Sequence, residues 1–154
     1  ALSSLLERDV FLEINKRLLK EFAGRQLGGY DFQRVVEEET GEDFHWFFNY
    51  WLRTNRYLSY QIEKRTCTHK GKIYESEVSV VCRGTIAMPV PISAEFTDNT
   101  SQLKWTERYR KVSTLKFISS APLKDIQIDP AAGLALCKEP PSQKEIELNK
   151  ASEP

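Results

Sequence analysis

The sequence predicts an α+β fold: a short N-terminal helical segment of about three helices, followed by an antiparallel β-sandwich. Two observations carry this reading. Apolar residues recur at helical spacing as far as Leu52, and at a spacing of two from Tyr57 onward. The strand-like stretches are short and divided by turn residues, the pattern of two packed sheets. The expected organisation is a helical segment over 1–54, a sandwich over 57–137 and a tail over 138–154.

Residues 3–23 read as one amphipathic helix with Ser3 or Ser4 as its N-cap. Val10, Ile14, Leu18 and Phe22 follow at i, i+4, and Phe11 and Leu19 widen the stripe. Glu7, Glu13, Lys16, Arg17 and Lys20 take the opposite face, and Gly24 is the expected stop. After a loop over 25–29, Asp31 is read as the next N-cap or its neighbour, with Phe32, Val35 and Val36 on the apolar face. Glu37, Glu38 and Glu39 crowd the last turn, where the helix dipole disfavours negative charge, so this helix should be short and end at Gly41. A third helix carries Phe44, Phe48 and Leu52 in one row, with Phe47 and Trp51 beside it. Glu42 and Asp43 are expected in its first turn and Arg53 in its last, each on the side the dipole favours.

From Tyr57 the period is two. Leu58, Tyr60 and Ile62 alternate with polar residues, and a turn is expected over Thr68 to Gly71. Ile73 to Val81 is the second strand and Met88 to Phe96 the third. Pro89 and Pro91 lack an amide donor, which predicts an edge position or a bulge there. Asp98-Asn99 reads as a hairpin turn, followed by strands over Leu103 to Glu107, Val112 to Phe117 and Leu123 to Ile128. The tail has three prolines and almost no apolar anchor, so it is expected to be flexible.

Composition excludes several functions. The 22 basic and 22 acidic side chains balance, which argues against a nucleic-acid partner. No apolar run approaches the ~20 residues needed to span a bilayer, so no membrane insertion is expected. The N-terminus lacks the basic start and apolar middle of a signal peptide, and reads as if it began within a helix of a longer chain. Three cysteines, Cys67, Cys82 and Cys137, do not make a disulfide framework; a Cys82–Cys137 pair is open in an oxidising compartment, and buried thiols are the preferred reading.

The candidate chemistry is sparse. His45 has no second histidine at i+4, and Cys67 with His69 is half a metal site at most. Glu37 to Glu39 point in different directions on a helix and form no acid–base pair. Asn99-Thr100-Ser101 matches the glycosylation acceptor pattern, which matters only in a secretory host. Catalytic and metal-ligating residues are therefore assigned to none. The densest feature is Tyr30 to Trp51, with eight aromatic side chains in 22 residues. Trp46, Phe47, Tyr50 and Trp51 could form a ligand platform, but core or domain interface is the preferred reading. Phe32, Phe44, Trp46, Phe47, Phe48 and Trp51 are the candidate interdomain packing residues.

The run from Asp31 to Leu52, followed directly by a β-module, resembles the end of the catalytic domain of aminopeptidase N-type zinc metallopeptidases, the gluzincins. The family pattern is matched at Asp31, Phe32, Glu37, Thr40, Gly41, Asp43, Phe44, Phe48, Trp51 and Leu52. Gly84, Pro89-Val90-Pro91, the turn in Phe96 to Thr100, Leu103 to Trp105 and Ile126 to Pro130 resemble the short Ig-like β-sandwich that follows in some members. The resemblance implies a non-catalytic C-terminal piece of a metallopeptidase-like hydrolase, with a scaffold role between domains. It implies that the zinc, bound by an H-E-x-x-H helix and a downstream glutamate, lies upstream of Ala1; no cofactor is expected here, and zinc is expected in the parent protein. Its partners would be the remainder of the parent chain and homo-oligomer contacts. The competing reading is an independent Ig-like binding or adhesion module with a helical leader. The compartment is unassigned.

Overall fold

The computed structural model describes residues 1–134 and 136–137, and the tail expected over 138–154 lies outside them. Those residues form an α+β fold with four helices and six antiparallel strands in two sheets. The chain divides into two compact units, residues 1–56 and the residues from Tyr57 onward.

The helical unit contains α1 (Leu2–Leu5), α2 (Arg8–Glu21), α3 (Gly29–Thr40) and α4 (His45–Leu52). The single helix expected over 3–23 is two helices, because Leu6 and Glu7 are both extended, with ψ of 151° and 145°. Ser3 and Ser4 therefore lie inside the one-turn α1, and Glu7 is the N-cap of α2. α2 stops at Glu21; Gly24, at φ +71°, serves the turn beyond it. α3 begins earlier than the Asp31 cap implied. Gly28 is its N-cap, and the Asp31 carboxylate accepts the Gly28 N–H at 3.1 Å from inside the first turn. This is the backward-reaching half of a capping box. Gly41 ends α3 as expected, in the left-handed conformation at φ +69°. Phe44 is the N-cap of α4, so Glu42 and Asp43 precede the helix and Arg53 follows it as C-cap. Asp43 nevertheless serves the helix start, its carboxylate accepting the His45 N–H at 2.8 Å.

The unit is held by burial on one side and ions on the other. Ile14 and Leu18 of α2, Val35 and Val36 of α3, and Phe44, Phe47 and Phe48 are buried. On the surface, Arg17 donates to Glu39 at 2.7 Å and to Glu38, and Arg34 bonds Glu38 and Glu21. The acidic last turn of α3 is thus offset by two arginines, one of them from α2. The paired guanidiniums hold the Glu38 carboxyl below its ordinary range.

The sheet unit contains β1 (Tyr60–Lys70), β2 (Ile73–Cys82), β3 (Pro91–Phe96), β4 (Ser101–Trp105), β5 (Val112–Ser119) and β6 (Leu123–Ile128). One sheet has the order β1-β2-β5 and the other β4-β3-β6. β1 continues to Lys70, through the turn expected over Thr68 to Gly71; only Gly71 and Lys72 join it to β2, with Lys70 opposite Ile73. Gly71, at φ +67°, suits the first loop position of a two-residue hairpin. The edge or bulge expected at Pro89 and Pro91 is overturned. β3 is the central strand of its sheet, and its register shift lies between Glu95 and Phe96. Pro89 precedes the strand and Pro91 is its first residue, a position that tolerates a missing N–H.

Alternation places Val78 and Val80, Phe117, and Ile92, Ala94 and Phe96 in the core, joined by Ile86, Met88 and Val90 ahead of β3. The inward positions of β4 are filled differently. Gln102 and Lys104 lie opposite the buried Ala94 and Ile92 in the register. Gln102 donates to the Ile118 carbonyl at 2.6 Å, Lys104 donates to the Lys116 carbonyl, and the Lys104 ammonium sits 5.4 Å from the Phe117 ring centroid. Polar side chains of one sheet thereby tie it to the other at the surface. Gly84 is buried where a Cβ would stand 2.5 Å from the Tyr57 carbonyl oxygen and 2.6 Å from the Ser59 nitrogen. No residue but glycine fits that approach without moving backbone.

Candidate functional site

The aromatic run folds into one connected ring cluster within the helical unit. Phe32 of α3 meets Phe48 of α4 edge-on at 5.3 Å, and Phe47 joins Phe48 at 5.6 Å and Trp51 at 6.0 Å. Trp46 contacts Phe47 at 5.8 Å and Phe44 at 6.2 Å. Only Phe47 and Trp51 meet at the i, i+4 spacing of a helix; the other contacts join sequence neighbours around Phe47 or bring α3 against α4. Edge-on geometry sets each positive ring rim against a neighbour's negative face, which favours the pairs beyond simple burial. Of the six sequence-selected packing residues, Phe44, Phe47 and Phe48 are buried, while Phe32, Trp46 and Trp51 are half-buried.

A polar chain runs behind the rings. The Arg53 guanidinium lies over the Tyr30 ring at 4.2 Å and donates to the Gln33 carbonyl oxygen at 3.0 Å. The Gln33 amide donates to Glu37 at 2.9 Å, and the same Glu37 oxygen accepts the Phe44 N–H at 3.0 Å. Glu37 thus satisfies an orphan donor at the start of α4, and Arg53 ties the end of α4 back to α3. The Trp51 indole N–H and one Arg53 nitrogen are buried without a hydrogen-bond partner among the described residues.

The apolar surface of this unit is not fully covered. At 100° per residue, the apolar arc of α2 spans roughly 160°, from Ile14 and Leu18 through Phe11 and Phe22 to Leu19 and Leu12. Ile14 and Leu18 are buried, but Leu19 is 77% exposed and Leu12 is also exposed. Tyr30 is 73% exposed and Leu52 60%. Leu52 therefore leaves the buried row that Phe44 and Phe48 share. Between α2 and the start of α3, Leu18, Leu19, Phe22, Leu27 and Phe32 line an open cleft of about 480 Å³.

The other sequence candidates stay apart. His45 is exposed on α4, and His69 is exposed on β1, stacked on Tyr74 at 4.5 Å. Cys67 is an exposed thiol. Cys82 is a buried free thiol that donates to the Ile86 carbonyl, so no Cys82–Cys137 bond is made. Burial pushes the Cys82 thiol up in pKa. Among the described residues no group of three His, Cys, Asp or Glu is arranged to hold a metal ion, and no helix is long and apolar enough to cross a membrane. Asn99 occupies the expected hairpin turn at φ 62°, beside an Asp98 carboxylate that accepts both the N–H and the hydroxyl of Thr100.

Several positioning residues escape sequence reasoning. Gln33 and Arg53 carry no motif, and only a polar residue on an apolar helix face hints at Gln33. Asp129 is buried, at φ 49°, and its carboxylate accepts the N–H groups of Gly133 at 3.1 Å and Leu134 at 2.8 Å. Its signal was an aspartate ahead of proline with a glycine four residues on, a loop signature. What the helical site offers chemically is packing: fixed rings, one fastened carboxylate and exposed leucines. No family model, no curated protein and no solved structure matches this chain.

Proposed function

We propose that this chain is a non-catalytic C-terminal part of a zinc aminopeptidase-like protein, in which the helical unit packs against the remainder of the parent chain. The Ig-like β-module would act as a scaffold between domains. The motif order from Asp31 to Leu52 suggests the parent family. The observation that carries the packing role is the apolar arc of α2, half buried and half exposed at Leu12 and Leu19. A helix apolar over so wide an arc is built to lie between two bodies. Leu27, Tyr30 and Leu52 extend the exposed apolar surface.

The sequence upstream of Ala1 tests the reading directly. An H-E-x-x-H followed about 18 residues later by glutamate, the ligand set of such a zinc site, supports it; an unrelated upstream domain overturns it. The isolated chain should take up no stoichiometric zinc and release no amine from aminoacyl substrates, and turnover by these residues alone would also end the proposal. Leu19→Ser should change the stability of this chain by no more than about 0.5 kcal/mol. The same substitution should weaken association with the upstream portion supplied in trans, which a merely exposed leucine would not do.

A further inference from the structure

We propose that the free edge of β1 is a docking strand for an extended acidic peptide segment. Among the described residues β1 is an edge strand, paired only with β2. From Gln61 to Lys70 every residue is exposed. Beyond the register shift at its base, Lys64 to Lys70 keep unbroken register with β2, from Lys64 opposite Ser79 to Lys70 opposite Ile73. Those seven residues span roughly 23 Å of regular strand. Among the described residues, no backbone group of Gln61 to Lys70 bonds to anything beyond this hairpin, whereas just upstream Cys137 donates its N–H to the Leu58 carbonyl. A backbone bond is thus already made two residues ahead of β1, and among the described residues none is made along its free edge.

Charge selects the occupant. Residues 64–72 hold Lys64, Arg65, Lys70 and Lys72 and no acid, in a chain whose charges as a whole balance. Lys70 pairs with Glu75, but Lys64, Arg65 and Lys72 make no ion pair among the described residues. In the register, Lys64 and Lys70 lie on the face of Glu75 and Glu77, and Arg65 lies on the face of Val78. An added strand therefore meets cations on both faces of the pleat. Lysines on an edge also discourage self-pairing, so an edge that repels copies of itself remains open to a strand of opposite sign. Main-chain bonds supply the attachment in such an addition, and side chains supply the choice. This inference concerns the sheet unit alone and stands whether or not the parent is a peptidase.

The test uses the full chain and an acetylated nonapeptide of alternating Glu and Thr, followed by amide chemical shifts and hydrogen exchange. Saturable binding is expected, with new protection confined to Lys64–Lys70 and affinity falling about tenfold between 50 and 500 mM NaCl. A peptide with Pro at alternate positions should not bind, since it lacks the donors. Lys64→Glu with Arg65→Glu should weaken binding at least about tenfold while leaving thermal unfolding unchanged, because both side chains are exposed. Equal binding of a Lys/Thr nonapeptide or of the proline peptide overturns the proposal. So does tighter binding of an oligonucleotide at the same residues, or concentration-dependent pairing of β1 with a second copy.

Discussion

In the helical unit the deepest ring, Phe48, touches Phe32 and Phe47, yet on neighbouring turns Leu19 and Leu52 stand in water. In the sheet unit the corresponding depth, at Phe96 and Phe117, is roofed by a second sheet, which Gln102 and Lys104 tie to the first. Both units bury large rings, and on α2 and α4 the apolar stripe that supplies the core runs on into solvent. Short helices with wide apolar arcs leave surface for another body, whereas two facing sheets can use every inward position for themselves. The difference predicts where damage is local and where it spreads.

The largest effects should come from the rings. Phe96→Ala should cost the sheet unit about 3–5 kcal/mol in urea unfolding, and Phe48→Ala should cost the helical unit a comparable amount. If Phe48→Ala costs under 1 kcal/mol, the helical core is not closed even at its centre. Next comes Gly84→Ala, which sets a methyl against two backbone atoms and should cost about 1–3 kcal/mol, read as a lower denaturation midpoint. Asp129→Ala removes the acceptor of two N–H groups and should cost about 1–3 kcal/mol, with faster amide exchange at Gly133 and Leu134. A loss at Asp129 confined to the sheet unit would sharpen the division between the units; a loss of helical signal would break it.

The smallest effect belongs to the ion network. Glu38 sits below its ordinary pKa because Arg17 and Arg34 hydrogen-bond its charged form. A depressed carboxylate stabilises the fold above its unfolded pKa, and that support is lost as the pH falls through the folded value. Glu38→Gln should therefore lower the melting temperature slightly at neutral pH, and the difference should vanish in acid and shrink in high salt. Persistence of the difference at low pH would show that shape rather than charge is at work.

The fold was legible where burial followed a period. Ile14 and Leu18, Val78 and Val80, and Ile92, Ala94 and Phe96 announce their elements because one face of each is dry. β1 beyond Ile62 was illegible for the opposite reason, since with both faces wet no alternation is selected. The prolines misled because a missing N–H forbids the interior of a strand but not its first residue. The helix break at Leu6 and Glu7 left no glycine or proline to mark it. At the packing site the rings were visible as composition, but the chain from Arg53 through Gln33 and Glu37 to Phe44 was not. Its Arg53–Gln33 bond joins residues 20 apart, a separation that leaves no local trace.

The side-chain bonds that β4 makes to β5 also bear on assembly. With the Lys116 and Ile118 carbonyls already occupied from β4, a strand added at β5 would have to displace two side-chain hydrogen bonds, a cost that addition at β1 does not carry. A fibre needs both edges of each sheet, and here one edge carries that added cost.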